Sequence, residues 1–365
     1  MQKITIDINS AVTYFVRGWV SGIGRTTIDL VKALDKEVCD TEMEITLYSQ
    51  NMKGIGGKNL GLHFKNRHLY FPFRPNYNQL LARTPIRKLL TGCDLYHIPH
   101  NFDYVHHPDR TIITLHDALY FTHPEDSLNH QFARSHYPTL AQQCRGIITC
   151  SESSKRDIMQ YMDIPEDKID VCYWGYNKAL FHPIDTEATS QTYFLLVSCS
   201  MGRKNTMSLL RAYAAFAKHN PSHHLKLVWP HPSDEAQSFI EKEGLTEQVH
   251  ILSHVSDDEL CRLYNGATAT FYPSRYEGFG LPVLESLACG TPVVTCSNSS
   301  LPEVGGDAAF YVNPDDTDGM AKYMEQFENL ELQKGLLRDK CLAQADKFSW
   351  QRCAQQTIQV YQKHA

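Results

Sequence analysis

No Cys-x-x-Cys pair occurs anywhere in the chain. Its 11 cysteines stand singly, which argues against paired-thiol zinc or redox motifs and predicts reduced thiols. Long apolar runs are missing too: none approaches the roughly 20 residues that span a bilayer. The start, Met1-Gln2-Lys3-Ile4-Thr5-Ile6-Asp7, carries a carboxylate where a signal peptide would be apolar, so a cytoplasmic protein is expected. Nor is there an excess of positive charge. Residues 1–180 hold 20 Lys+Arg against 19 Asp+Glu, the remainder 15 against 22, for a net charge of -6. Neither half has the electrostatics of a nucleic-acid binder. Internal repeats and low-complexity segments are also lacking. What remains is a globular composition, 42% apolar and 21% charged over 365 residues, a length that fits two domains.

The densest chemistry lies in Pro273-Ser274-Arg275-Tyr276-Glu277-Gly278-Phe279-Gly280-Leu281-Pro282-Val283-Leu284-Glu285. Two carboxylates frame a Gly-Phe-Gly-Leu-Pro turn. The glycines allow close backbone approach to a ligand, and Pro282 suits a first helical turn. Amides at such a turn face an anion, while Glu277 and Glu285 offer hydroxyl acceptors, a pairing that suits a nucleotide sugar. The bland alternative is a solvated loop followed by an ordinary helix acid.

Along the chain, strand-like and helix-like segments alternate. Strands are expected at 1–9, 94–98, 111–115, 146–150 and 169–173, and then at 193–198, 225–229, 249–252, 267–272, 292–295 and 308–312. Helices fall between them, which predicts an α/β protein with doubly wound parallel sheets. Periodicity lapses around 174–191, placing a boundary between domains at 1–178 and 185–346. Ser21-Gly22-Ile23-Gly24-Arg25-Thr26-Thr27 opens an amphipathic helix, but Thr27 stands where a dinucleotide fingerprint has its third glycine. That leaves a phosphate loop and a tight packing turn both open. The segment 64–90 interleaves Phe64, Tyr70, Phe71, Phe73 and Tyr77 with Lys65, Arg67, Arg74, Arg83, Arg87 and Lys88. It fits either a solvated face or a contact with an anionic or lipid-linked acceptor.

No metal is expected. His97, His100, His106 and His107 lack the i,i+4 spacing of a helical zinc motif, and Asp316-Thr317-Asp318 reads as a helix cap after Pro314. Cys289 and Cys296 read as packed thiols rather than nucleophiles.

With Ser21 to Arg25, His116-Asp117, Arg203-Lys204-Asn205, the E-x7-E segment Glu277 to Glu285 and its continuation Ala288-Cys289-Gly290-Thr291-Pro292 in view, the chain resembles the retaining glycosyltransferases of family 4, the group 1 glycosyltransferases. The resemblance covers nearly its whole length. It implies the GT-B fold, two facing Rossmann-like domains with a cleft between them: an N-terminal acceptor-binding domain with the C-terminal helix 349–365 packed back on it, and a C-terminal donor-binding domain. Residue by residue, it implies catalytic roles for His116, Arg203, Lys204 and Glu277. Arg203 and Lys204 would neutralise the diphosphate, and His116 would orient the transferred sugar. Glu277 and the amides of Phe279, Gly280 and Leu281 would hold the sugar and phosphate, Glu285 the ribose, while Gly24 approaches the same phosphates. One departure is Ser198, where many relatives carry arginine five residues before the Arg-Lys pair.

The resemblance therefore implies a hexosyltransferase that uses a GDP- or UDP-linked sugar and no metal or other cofactor. Its acceptor would be a glycan or lipid-linked oligosaccharide in polysaccharide biosynthesis, with a peripheral contact at the inner membrane face. A sugar-nucleotide epimerase of the same fold is the alternative enzyme. A nicotinamide oxidoreductase, suggested by the Gly22-x-Gly24 turn, and a glycan-binding module stand as readings from other classes.

Overall fold

A computed structural model of the chain describes residues 1–12, 22–72, 80–81, 92–100, 105, 107–126, 130–185, 192–328 and 334–364. The chain divides into two compact units. Met1–Thr122, Asn129–Gly175 and Ser349–Ala365 form the first; His123–Leu128 and Tyr176–Phe348 form the second.

The first unit is built on a seven-stranded parallel sheet in the order β3-β2-β1-β4-β5-β6-β7. Its strands are β1 (Gln2–Asp7), β2 (Met43–Gln50), β3 (Lys65–Leu69), β4 (Leu95–Ile98), β5 (Thr111–Thr114), β6 (Gly146–Thr149) and β7 (Ile169–Val171). Central strands β4, β5 and β6 are buried along their whole length. They are short and aliphatic-rich because helices cover both faces of a parallel sheet. Helix α1 (Gly22–Glu37) lays Ile28, Val31 and Leu34 into the core beside Ile4 and Ile6. Two further helices, α2 (His130–Gln143) and α3 (Glu152–Met162), complete the alternation, the latter capped by Ser151 Oγ accepting from the Ser154 amide. The sheet has two strands beyond those expected from sequence. β2 follows directly on a short helical turn, and β3 is a polar edge strand within the segment read as an aperiodic face, with Lys65 pairing to Glu44.

In the second unit the sheet order is β10-β9-β8-β11-β12-β13, again all parallel. The strands are β8 (Tyr193–Val197), β9 (His224–Val228), β10 (Val249–Leu252), β11 (Ala269–Tyr272), β12 (Val293–Cys296) and β13 (Ala309–Val312). Between and after them run α4 (Thr206–Ala217), α5 (Asp234–Lys242), α6 (Asp257–Gly266), α7 (Leu281–Ala288), α8 (Leu301–Gly305), α9 (Thr317–Glu328) and α10 (Lys334–Ala345). The aromatic centre of this core is Phe194, 5.4 Å from Phe216 and 5.1 Å from Phe271 between ring centroids. Strand order reverses between β8 and β11, which pair directly. In a doubly wound sheet, ligands bind outside the carboxyl ends of the strands at that switch point. Here those ends run into 198–205 and 273–280.

The last helix, α11 (Trp350–Lys363), belongs to the first unit. Ala354, Ile358 and Tyr361 enter the core that holds β1. Tyr361 OH lies 2.7 Å from Nδ1 of His97, whose Nε2 meets Thr114 Oγ1 at 2.8 Å. Burial pushes His97 down to about 3, so this imidazole is a neutral, fully bonded core group. His100 is also engaged, 3.0 Å from Asp7, while His106 lies outside the described residues. Among the described residues no three His, Cys, Asp or Glu side chains converge as a metal site. Likewise, no helix there is long and apolar enough to cross a membrane. Most of the basic and aromatic segment 64–90, including Phe73, Arg74, Tyr77, Arg83, Arg87 and Lys88, lies outside the described residues.

Candidate functional site

Arg203, Lys204 and Glu277 come together at the switch point of the second sheet. Lys204 Nζ donates to Glu277 Oε1 at 2.7 Å, and Arg203 Nη1 lies 2.9 Å from Oε2. Tyr272 OH and Ser274 Oγ also donate to Oε1, at 2.9 and 2.6 Å, and Lys204 contacts the Tyr272 hydroxyl. Burial disfavours the Glu277 carboxylate most strongly, yet Lys204 and Arg203 outweigh it and hold the group down at about 2. The Lys204 ammonium is lowered, with burial the first cause and Glu277 opposing it. Tyr272, raised far above its ordinary value by burial and then by Glu277, remains a hydroxyl donor. With Oε1 receiving three donors and Oε2 one, further acceptor capacity in this carboxylate is at Oε2.

Local backbone structure fixes this cluster. Asn205 takes a left-handed conformation, φ 61°, just ahead of α4, and its Nδ2 bonds the carbonyls of Pro273 and Pro314 at 3.1 and 2.6 Å. The Arg275 amide donates to Arg203 O at 2.7 Å, tying the two loops together. Arg203 N donates to Asp126 Oδ2 at 3.0 Å, and its guanidinium also reaches Tyr276 O. Ser198 follows β8 directly, exposed and with φ 60°. The guanidinium of this cluster therefore comes from Arg203, five residues later.

Glu277 leads into α7. Its amide donates to Ser299 Oγ at 3.0 Å, and Ser300 Oγ donates to the carbonyls of Glu277 and Phe279. Phe279 itself is a core residue packed edge-on against Phe348. Gly280 has φ 107°, and a Cβ there would sit 3.0 Å from Leu301, so the turn needs glycine on two counts. Leu281 supplies the first helical amide, and Pro282 follows with none. One turn on, Glu285 is buried and accepts from Tyr264 OH at 2.9 Å. The E-x7-E segment thus places one acid in the loop cluster and the other on the helix.

Gly24 and His116 belong to the first unit. Gly24 is buried in the first turn of α1 rather than in a loop ahead of it; Ser21 lies outside the described residues. His116 follows β5, where its carbonyl accepts from Cys150 Sγ and Ser154 Oγ. Its ring is buried 5.2 Å from Trp174, and neither nitrogen has a hydrogen-bond partner among the described residues. The Pro99 carbonyl lies close without meeting hydrogen-bond geometry. Burial first, then His100, push the imidazole down to about 4. Thr26 and Thr27 of α1 line one narrow cavity with His116 and Trp174.

Sequence reasoning missed several partners. Tyr272 and Ser274 flank the motif closely enough to have been noticed. Ser299 and Ser300 carry a weaker signal, a serine pair after a strand. Tyr264 and Asp126 are 21 and 77 residues from the groups they bond, and no local pattern marks them.

Two family models match, Glycosyltransferase Family 4 over residues 20–180 and Glycosyl transferases group 1 over residues 178–348. O-antigen chain mannosyltransferase B of Escherichia coli is 32% identical over 285 residues, which cover 73% of this chain and 74% of that protein. O-antigen chain mannosyltransferase RfbU of Salmonella typhimurium is 31% identical over 221 residues, 60% of this chain and 61% of its own. The fold matches Anabaena Alr3699/HepE, solved in complex with UDP-glucose, at a TM-score of 0.76 and 18% identity, with all of both chains covered. These relatives carry transferase names and lend the epimerase reading no support. The α/β architecture of two parallel sheets, the matching family models and the identity to the E. coli enzyme agree: the chain belongs to the group 1 glycosyltransferases, family 4, of the GT-B fold.

Proposed function

We propose that this glycosyltransferase moves mannose, with retention, from a nucleoside diphosphate donor to a glycan or lipid-linked oligosaccharide acceptor during polysaccharide assembly. The observation that carries the reading is the Arg203-Lys204-Glu277 cluster at the switch point of the second sheet, in a chain whose relatives include O-antigen mannosyltransferases. GDP is the first base to test, with UDP the second because a structural neighbour was solved with UDP-glucose.

Breaking the bond from sugar to phosphate builds negative charge on the departing diphosphate and positive charge at the anomeric carbon. Lys204 and Arg203 are the cations for the diphosphate. At an effective dielectric near 20, a cation about 4 Å from a phosphate oxygen contributes on the order of 4 kcal/mol, so two of them do the work given elsewhere to a metal. Glu277 keeps these cations in place beforehand and leaves Oε2 to accept a sugar hydroxyl. Glu285 accepts from the ribose hydroxyls, and the amides of Phe279, Gly280 and Leu281 face the phosphate and sugar. In the first unit, Gly24 approaches the phosphates. His116, neutral at physiological pH, orients the transferred sugar through a hydrogen bond. Proton transfer from the acceptor hydroxyl goes to the departing phosphate, which needs no protein base. The enzyme works at the cytoplasmic face of the membrane, where a lipid-linked acceptor presents its glycan.

The test is product analysis with GDP-mannose, UDP-glucose and a lipid-linked glycan acceptor, with and without magnesium. Transfer of an α-linked hexose that survives chelation supports the reading. Donor conversion without acceptor, or strict magnesium dependence, contradicts it.

A further inference from the structure

Charge is distributed unevenly along the first unit. Residues 35–44 hold five carboxylates, Asp35, Glu37, Asp40, Glu42 and Glu44, whereas residues 45–93 hold none and carry eight Lys or Arg. The described part of that acid-free stretch forms one corner of the sheet: most of β2, the loop 51–64 and the edge strand β3. The loop folds down on the strands, since a Cβ at Gly57 would come within 1.8 Å of Asn66 Oδ1 in β3. At the carboxyl ends of the two strands the chain is pinned: the Asn51 amide donates to Leu69 O at 3.2 Å, and His68 Nε2 lies 3.0 Å from Asn51 O. Tyr70 follows β3, edge-on to His68 at 4.6 Å and over Gly54, where a Cβ would lie 3.0 Å from the tyrosine hydroxyl.

This corner presents cations beside apolar side chains. Lys53, Lys58 and Arg67 are exposed, and Met52 and Tyr70 are 64% and 68% exposed. The carboxylates nearest in sequence are engaged elsewhere. Glu44, near the start of β2, takes Lys65; Asp94, ahead of β4, accepts from the Lys3 amide at 2.8 Å; and Asp35 meets His63 at 3.0 Å. The chain is therefore acidic on entering β2 and basic on leaving it, and the basic end is the one where a doubly wound sheet takes its ligands. Cations next to an aromatic ring and a thioether match a bilayer interface, where phosphates meet the cations and the ring lies at head-group depth. A nucleic acid would meet the cations and leave Met52 without an apolar partner.

We infer that this corner of the first unit docks on an anionic lipid surface, with Lys53, Lys58 and Arg67 against the head-group phosphates and Met52 and Tyr70 in the interface. The inference rests on the proposed lipid-linked acceptor and deepens it: docking turns the carboxyl end of the first sheet toward the bilayer and its acidic amino end away.

Sedimentation of the full chain with vesicles, without donor or acceptor, tests this. Each cation near an anionic surface multiplies partitioning about fivefold, so phosphatidylcholine mixed with phosphatidylglycerol should bind the protein at least about tenfold more tightly than phosphatidylcholine alone. Most of that binding should be lost in molar salt, where the Debye length is about 3 Å. Lys53→Glu combined with Lys58→Glu should weaken it about 25-fold or more, and Met52→Ser combined with Tyr70→Ser should also weaken it. Lys218→Glu combined with Lys242→Glu changes exposed lysines of the second unit by the same net charge and should bind as the wild type does, with circular dichroism confirming that each variant is folded. No preference for anionic vesicles, undiminished binding by the Lys53 and Lys58 variant, an equal loss in the Lys218 and Lys242 variant, or tighter binding to single-stranded RNA than to the vesicles each overturns the inference. Failure of vesicle binding leaves transfer to a soluble glycan standing, whereas a protein that binds vesicles and transfers no sugar contradicts the proposed function alone.

Discussion

Lys204 Nζ and Glu277 Oε1 meet at 2.7 Å inside the second unit, both largely shielded from water. With Arg203 on the other oxygen, and Asp126 Oδ2 3.7 Å from the Nε of that arginine, the cluster holds two positive charges and two negative ones. Removing one member strands another. Lys204→Ala should destabilise the protein by roughly 3 to 5 kcal/mol, the usual result of leaving half a buried pair. Urea unfolding measures it, and pairing the change with Glu277→Gln should recover part of the loss. A double variant no more stable than the sum of the singles would count against the coupling.

The acid side of the stability profile follows from the same carboxylate. Its folded value, about 2, lies below the ordinary 4.5. A depressed carboxylate contributes stability that is fully present above the unfolded value and is lost as the pH falls from about 4.5 toward 2. Unfolding free energies measured across that window should decline in the wild type and decline less in Glu277→Gln.

His116 behaves in the same direction over a different range. Depressed from 6.5 to about 4, it stays neutral in the folded state while the unfolded chain takes up a proton. Its contribution to stability is therefore present above about 6.5 and is lost as the pH falls toward 4. In an NMR titration its ring resonance should hardly move between pH 8 and 5. A midpoint near 6.5 would show that the ring is hydrated.

On the helix, Glu285→Ala should weaken donor binding by roughly 1.5 to 3 kcal/mol through the loss of charge-assisted hydrogen bonds. Calorimetry with the nucleoside diphosphate reads this directly. Tyr264→Phe, which removes the donor to Glu285 Oε2, should have a smaller effect of the same sign. Equal affinity in wild type and Glu285→Ala would remove Glu285 from the donor site.

Gly280→Ala tests the turn. Its φ of 107° costs a side-chain-bearing residue on the order of 1 to 2 kcal/mol, and the 3.0 Å approach to Leu301 adds to that. A lower thermal midpoint is expected, accompanied by weaker donor binding because the amides of α7 shift.

Much of the architecture was legible because the central strands of parallel sheets are short apolar runs between glycine and polar turns. The Tyr193–Val197 and Val249–Leu252 strands lie within or match the segments expected from the pattern alone. β3 was not legible: an edge strand of Lys, Asn, Arg, His and Leu has no apolar face, and its pairing with β2 supplies what its composition does not. At the site, Glu277 and Glu285 stood out by spacing. Their different surroundings did not, because Tyr264, Ser299 and Asp126 reach them or their neighbours only through the fold. Gly24 shows the converse, a glycine whose sequence suggested a loop and which lies within a helix.

The placement of α11 has a consequence for synthesis. Ala354, Ile358 and Tyr361 fill the core around β1, which is translated well before them. That core cannot close until the final helix has left the ribosome, whereas Tyr176–Phe348, nearly all of the second unit, has by then been made. The first unit is therefore completed after the second, and until α11 has been made it carries an apolar groove.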